Sequence, residues 1–202
     1  MIRILLILIA ALAVAACGKA DEKGVRVVME TSAGAIVLEL YPDKAPISAN
    51  NFLRYIDQGH YAGAHFYRTT RPDNDPMIEV IQGGLWAPFR EDGDEDFSAP
   101  LPPIAHETTQ ASGLTHEDGV ISMARSEPGS ASSEFFITIG DNHELDFGGE
   151  RNPDGQGFAV FGKIVDGMDA VRAINAATTR GGEGFDGQLL TEPVAIISIS
   201  RQ

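Results

Sequence analysis

The chain has 202 residues, with 15 Lys and Arg against 29 Asp and Glu and a formal net charge of −14. That sign repels phosphate backbones and removes the electrostatic support on which nucleic-acid binding depends. A single cysteine, Cys17, excludes an internal disulfide, and the length suits one domain with a sizeable core.

Met1-Ile2-Arg3 places one positive charge ahead of an apolar run at 4–16. A helix across a hydrocarbon core of ~30 Å needs about 20 such residues, so the run reads as a secretory signal rather than a permanent span. Val14-Ala15-Ala16 ahead of Cys17 offers small side chains to a signal peptidase. The pattern resembles a bacterial lipoprotein lipobox, which implies cleavage before Cys17, lipidation of that residue, and a chain anchored in the cell envelope facing the periplasm. A plain signal peptide with an incidental cysteine is the alternative. On the lipoprotein reading residues 1–16 are the signal peptide, 17–24 a short tether, and 25–202 the folded domain.

Runs at 25–29 and 35–40 read as strands, with Ile36, Leu38 and Leu40 on one face by the period of two, joined by a turn at 31–34. Pro46 suits a first helical position and Gly59 a stop, which predicts a helix with Phe52, Tyr55 and Ile56 on one face. Residues 66–68 and 78–84 are β-rich and flank a polar, proline-bearing insert. A long stretch at 87–118 reads as low in regular structure. Strands are expected at 119–124 and 135–139 around a turn-rich loop at 127–132. A further strand at 158–164, a helix at 167–177 carrying Met168, Val171 and Ile174, and a closing strand at 194–199 complete the pattern. Strands dominate and no βαβ repetition appears, so the fold class is mainly β: a closed antiparallel barrel capped by two helices.

Several apparent motifs fail on context. The glycine spacing at 182–187 matches a dinucleotide loop, but it follows a helix, precedes a strand and carries Glu183 and Asp186, which would repel a pyrophosphate. His106-Glu107 begins like a zinc-protease motif, yet Gln110 stands where the second histidine belongs. The acidic run at 91–96 lacks the ordering of a calcium loop and reads as solvated. No nucleophile has the context for covalent chemistry. The sequence therefore calls for neither a metal nor a cofactor.

What remains is Arg68, a permanent cation, and Gln82, a bidentate amide, on two β-rich segments. Such a pair suits recognition of a neutral polar group such as a peptide bond, although two ordinary strands with a surface arginine would read the same way. The ordered series Gly34-x-Ile36-x-Leu38-Glu39-Leu40-Tyr41-Pro42-Asp43-Lys44-Ala45-Pro46, Phe66-Tyr67-Arg68, Gln82-Gly83-Gly84, Gly119-Val120-Ile121-Ser122-Met123-Ala124, Ser133-Glu134-Phe135-Phe136-Ile137 and Phe161-Gly162-Lys163-Ile164-Val165-Asp166-Gly167-Met168 resembles the cyclophilin family of peptidyl-prolyl isomerases. The resemblance spans residues 25–200 in order.

It implies a cyclophilin-like barrel that binds proline-containing polypeptides, with Arg68 as the catalytic arginine and Gln82 as the glutamine beside it; a monomer is expected, although the sequence leaves the oligomeric state open. Val80, Phe136, Leu145 and Phe158 match positions that line the proline pocket. Met123 and Ala124 match the strand along the substrate backbone, and Arg125 a position whose main chain contacts the peptide. Core packing is the other reading of any single phenylalanine here. Glu79 stands where the family has an apolar aromatic, so that wall is missing or supplied by the insert. Glu134 stands where a glutamine is common, and Glu144 where a large aromatic often contacts cyclosporin, which implies weak cyclosporin sensitivity. The alternative function is a cyclophilin-fold binding module or holdase with little turnover.

Overall fold

In Val25–Thr31 (β1) and Gly34–Leu40 (β2), side chains alternate between two faces, and the inward set of Val27, Met29, Ile36, Leu38 and Leu40 is fully buried. The hairpin is closed by Thr31, whose hydroxyl donates to the Gly34 carbonyl at 2.6 Å and accepts the Ala33 amide at 3.1 Å. These are features of a computed structural model that describes residues 24–73, 77–87, 97–181 and 185–202. The signal segment, Cys17, most of the tether, the acidic run 91–96 and residues 182–184 of the glycine-rich stretch lie outside the described residues.

Seven further strands follow: His65–Thr70 (β3), Val80–Gly84 (β4), Val120–Met123 (β5), Phe135–Thr138 (β6), Ala159–Asp166 (β7), Thr179–Arg180 (β8) and Leu189–Arg201 (β9). Their order is β1-β2-β7-β5-β6-β4-β3-β9, every pairing is antiparallel, and β9 returns to β1, which closes an eight-stranded barrel with no free edge. The two-residue β8 pairs with β9 outside this ring. β9 starts five residues before the expected strand. Pro193, which punctuates the sequence there, falls where the register against β3 jumps from Leu189 to Val194 and no ladder donor is needed.

Pro46–Asp57 (α1) plugs one end of the barrel. Phe52 sits at its centre, 5.3 Å from Phe135 edge-on, 5.3 Å from Phe161 and 5.1 Å from Tyr61. Burying such a ring contributes about 1.5–3 kcal/mol, and edge-to-face pairs add roughly 0.5–1.5 kcal/mol. The helix starts at Ala45, which supplies no side-chain cap. The carboxylate of Glu107 takes that role from far along the chain, accepting the amides of Ile47 at 3.2 Å and Ser48 at 3.0 Å.

Met168–Asn175 (α3) caps the barrel beside β2, β3 and β4, with Ala170, Val171 and Ile174 buried in the core that the inward residues of the strands share. The Arg71 guanidinium donates to its last carbonyl, that of Asn175, at 2.8 Å and to the Ala177 carbonyl just beyond the helix at 2.7 Å. The stretch read as low in structure contains one helical turn, Thr109–Ser112 (α2), capped by the Thr108 hydroxyl and ended by left-handed Gly113.

Candidate active site

A strict period of two would put Arg68 on the same face as Phe66, which is fully buried in the barrel. A β-bulge between Phe66 and Arg68 prevents this: Phe66 pairs with Gly83 and Arg68 with Gln82, so Tyr67 is the extra residue. Tyr67 and Arg68 consequently both reach an open cavity on the outer wall of the barrel, of about 440 Å³. Gly83 permits the close approach of the strands, since a Cβ there would stand 2.7 Å from the His65 carbonyl oxygen.

The Arg68 guanidinium is held by two amide oxygens. Nη1 donates to Gln82 Oε1 at 2.7 Å, while Nε and Nη2 donate to Gln188 Oε1 at 2.8 and 2.6 Å. The ring of Phe185 lies 5.2 Å from its centre, a cation–π contact. Among the described residues Arg68 forms no direct ion pair, and the carboxylate that lines the same cavity, Glu134, is reached only through Gln82 and Tyr67. Burial pulls its pKa below the usual value, and the charge of Arg151, which also lines the cavity, acts in the same direction. Desolvation thus strengthens any hydrogen bond that the cation makes to a guest.

Beside Arg68 lies an apolar basin of Ile78, Val80, Phe136 and Leu145, with Ala124 and Phe158 packed against it. Phe136 and Phe158 meet edge-to-face at 5.2 Å. Below them the ring of His116 stacks on Phe136 at 5.7 Å. It is fully buried between Asp146 Oδ1 at 2.7 Å and Ser122 Oγ at 3.0 Å.

The residues singled out from the sequence do not all reach this cavity. Arg68, Gln82, Val80, Ala124, Arg125, Phe136, Leu145 and Phe158 line it. Met123 does not: Ser122 faces outward opposite Phe136, so the next residue points inward, and Met123 is packed in the barrel core. A substrate contact there is restricted to its main chain. The Arg125 side chain is tied down, donating to Asp154 at 2.8 and 2.9 Å and to the Gly157 carbonyl, and it lies over Phe158 at 5.2 Å. Its guanidinium therefore builds the pocket wall.

The wall expected at position 79 is supplied by Ile78. Val80 and Gln82 share one face of β4 by the period of two, and Ile78 just ahead of the strand lines the same cavity, a spacing legible in the sequence once the strand is registered from Gln82. Glu79 is directed away from the cavity lining, and its amide donates to Asn142 Oδ1 at 2.7 Å. Tyr67, Trp86, Phe185 and Gln188 were missed; the last two stand more than a hundred residues from Arg68 and carry no local signal.

The family model described as cyclophilin type peptidyl-prolyl cis-trans isomerase/CLD matches residues 26–201. The chain belongs to that family. It is 38% identical over 171 residues to the peptidyl-prolyl cis-trans isomerase cyp18 of Streptomyces antibioticus, covering 84% of this chain and 94% of the relative. It is 35% identical over 175 residues to peptidyl-prolyl cis-trans isomerase B of Escherichia coli, covering 86% and 98%. The fold is also that of a solved cyclophilin from Cryptosporidium parvum, with a TM-score of 0.66 at 20% identity, over 89% of this chain and 98% of that one. This cyclophilin is a peptidyl-prolyl cis-trans isomerase.

Proposed function

We propose that Arg68 catalyses rotation, that Gln82 holds the substrate backbone, and that the basin of Ile78, Val80, Phe136, Leu145 and Phe158 grips the proline ring. An X–Pro bond rotates over a barrier of ~18–20 kcal/mol because the nitrogen lone pair is delocalised into the carbonyl. Twisting the bond returns that lone pair to nitrogen. A guanidinium donating to the prolyl nitrogen stabilises the twisted state and hardly touches the planar one, so its contribution is differential. No proton is transferred. The reading is supported above all by the Arg68 guanidinium, oriented by two neutral amide oxygens beside an apolar pocket.

A charge-assisted hydrogen bond contributes about 1.5–3 kcal/mol, so Arg68→Ala is expected to lower kcat/KM by roughly 10- to 150-fold in a proline-peptide assay. Unchanged activity would reject the assignment.

The protein acts as a monomeric lipoprotein of the bacterial envelope, with residues 1–16 as signal, 17–24 as tether and 25–202 as the isomerase domain working on flexible or unfolded secreted chains. The charge and apolar run at 1–16, the small residues before Cys17 and the single cysteine support this. Cys17→Ala is expected to move the protein from the membrane fraction to the soluble fraction of a bacterial host. Retention of the variant in the membrane would overturn the lipid anchor.

A further inference from the structure

A continuous hydrogen-bond chain runs from Arg68 to a carboxylate on the far side of Gln82. Arg68 Nη1 donates to Gln82 Oε1 at 2.7 Å, Gln82 Nε2 donates to Tyr67 Oη at 2.8 Å, and Tyr67 Oη donates to Glu134 Oε2 at 2.7 Å. Glu134 is itself seated by three donors on its other oxygen: the amides of Leu85 at 2.8 Å and Trp86 at 3.0 Å, and the Ser133 hydroxyl at 3.0 Å. The seat is also shaped by Gly84, where a Cβ would overlap the Glu134 carboxylate.

The two ends of this chain are chemically opposite. A guanidinium can only donate and an ionised carboxylate can only accept. Tyr67 has one proton, so when it donates to Glu134 its oxygen is left to accept. Gln82 must then turn its NH2 toward Tyr67 and its carbonyl toward Arg68. One amide hydrogen of Gln82 is thereby committed and the second is left for a substrate carbonyl. We infer that Glu134, acting through the Tyr67 hydroxyl, is a positioning residue that fixes the amide orientation of Gln82 and through it the aim of Arg68.

A neutral amide at position 134 breaks this logic. The Leu85 and Trp86 amides require an acceptor, so the carbonyl of a glutamine would face them and its NH2 would face Tyr67. Two NH2 groups would then converge on one phenol oxygen, and either the Tyr67 proton loses its acceptor or Gln82 turns and puts its own NH2 against the guanidinium.

The inference rests on Arg68 and Gln82 being the reacting pair. The test is a set of proline-peptide kinetics on wild type, Tyr67→Phe, Glu134→Gln, the double variant and Arg68→Ala. Tyr67→Phe keeps the ring and every backbone bond to Glu134, and is expected to lower kcat by about tenfold with KM changed less than twofold. The double variant should lose no more than Tyr67→Phe alone, because the Gln82 side chain is linked to the Glu134 carboxylate through the Tyr67 hydroxyl, while the Leu85 and Trp86 amides keep an acceptor in either variant. Wild-type kinetics in Tyr67→Phe, or losses in the double variant that multiply, would overturn the inference. If Glu134→Gln does not fold, Tyr67→Phe alone decides. An Arg68→Ala enzyme that stays active would instead sink the catalytic pair itself, so the two failures are distinguishable.

Discussion

At the scale of single residues, the pocket is built on alternation. Ile78, two residues before β4, lines the cavity together with Val80 and Gln82 of that strand, and it supplies the apolar wall that Glu79, directed elsewhere, does not. Truncating Ile78 to alanine removes buried aliphatic surface and leaves a cavity, at a cost of about 2–5 kcal/mol when the site does not collapse. Ile78→Ala is therefore expected to lower the denaturant midpoint and to weaken proline-peptide binding severalfold. Glu79→Ala should leave KM within about twofold, since the side chain is absent from the cavity lining and the Asn142 contact is made by the backbone amide. A larger kinetic effect from Glu79→Ala than from Ile78→Ala would reassign the wall.

At the scale of elements, the long stretch before β5 matters because it delivers a charge to the end of a helix. Glu107 satisfies two amides at the start of α1 that no local side chain reaches. Replacing a helix cap with alanine costs about 0.5–2 kcal/mol. For a domain of this size each kcal/mol shifts the melting temperature by roughly 2–4 °C. Glu107→Ala is expected to lower the melting temperature by several degrees while sparing kcat/KM, because α1 plugs the barrel end and lies away from Arg68. Thermal unfolding beside the peptide assay checks both halves. Arg71 plays the matching part at a helix C-terminus, binding the final carbonyl of α3 at Asn175 and that of Ala177 just beyond it, and so fastening that helix to the root of the insert.

At the scale of the whole molecule, His116 couples stability to pH near neutrality. Burial lowers its pKa below the ordinary 6.5 although Asp146 opposes the shift. Both folded and unfolded states hold it neutral at pH 7.5. Below about 6.5 the unfolded state takes up a proton that the native state refuses, so stability falls as the pH falls, by at most about 1.4 kcal/mol per pH unit. His143 shifts upward, chiefly through its hydrogen bond to Asp146, and acts in the opposite sense, but it is largely exposed and contributes little. For Asp146, burial raises the pKa, but hydrogen bonds from both histidines outweigh it, so its contribution is lost only further into acid. Urea unfolding at pH 7.5 and 5.5 should show wild type losing more stability than His116→Gln between the two values. An equal loss would remove His116 as the source.

Strand alternation, the Pro46 helix start and the turn residues were enough to indicate a mainly β fold, while the closed barrel with Arg68 and Gln82 in its site was implied by the resemblance of the ordered segments to the cyclophilins. Those signals are local: a period of two, a fixed proline φ and turn residues act within a few positions. The aim of the site was decided by tertiary structure. The bulge at Tyr67 turns Arg68 out of the core, Gln188 and Phe185 arrive from beyond α3 to hold it, and Ser122 facing Phe136 sends Met123 inward. Each depends on which strands become neighbours and in what register. That follows from closing the barrel around one shared core, to which residues a hundred positions apart contribute equally.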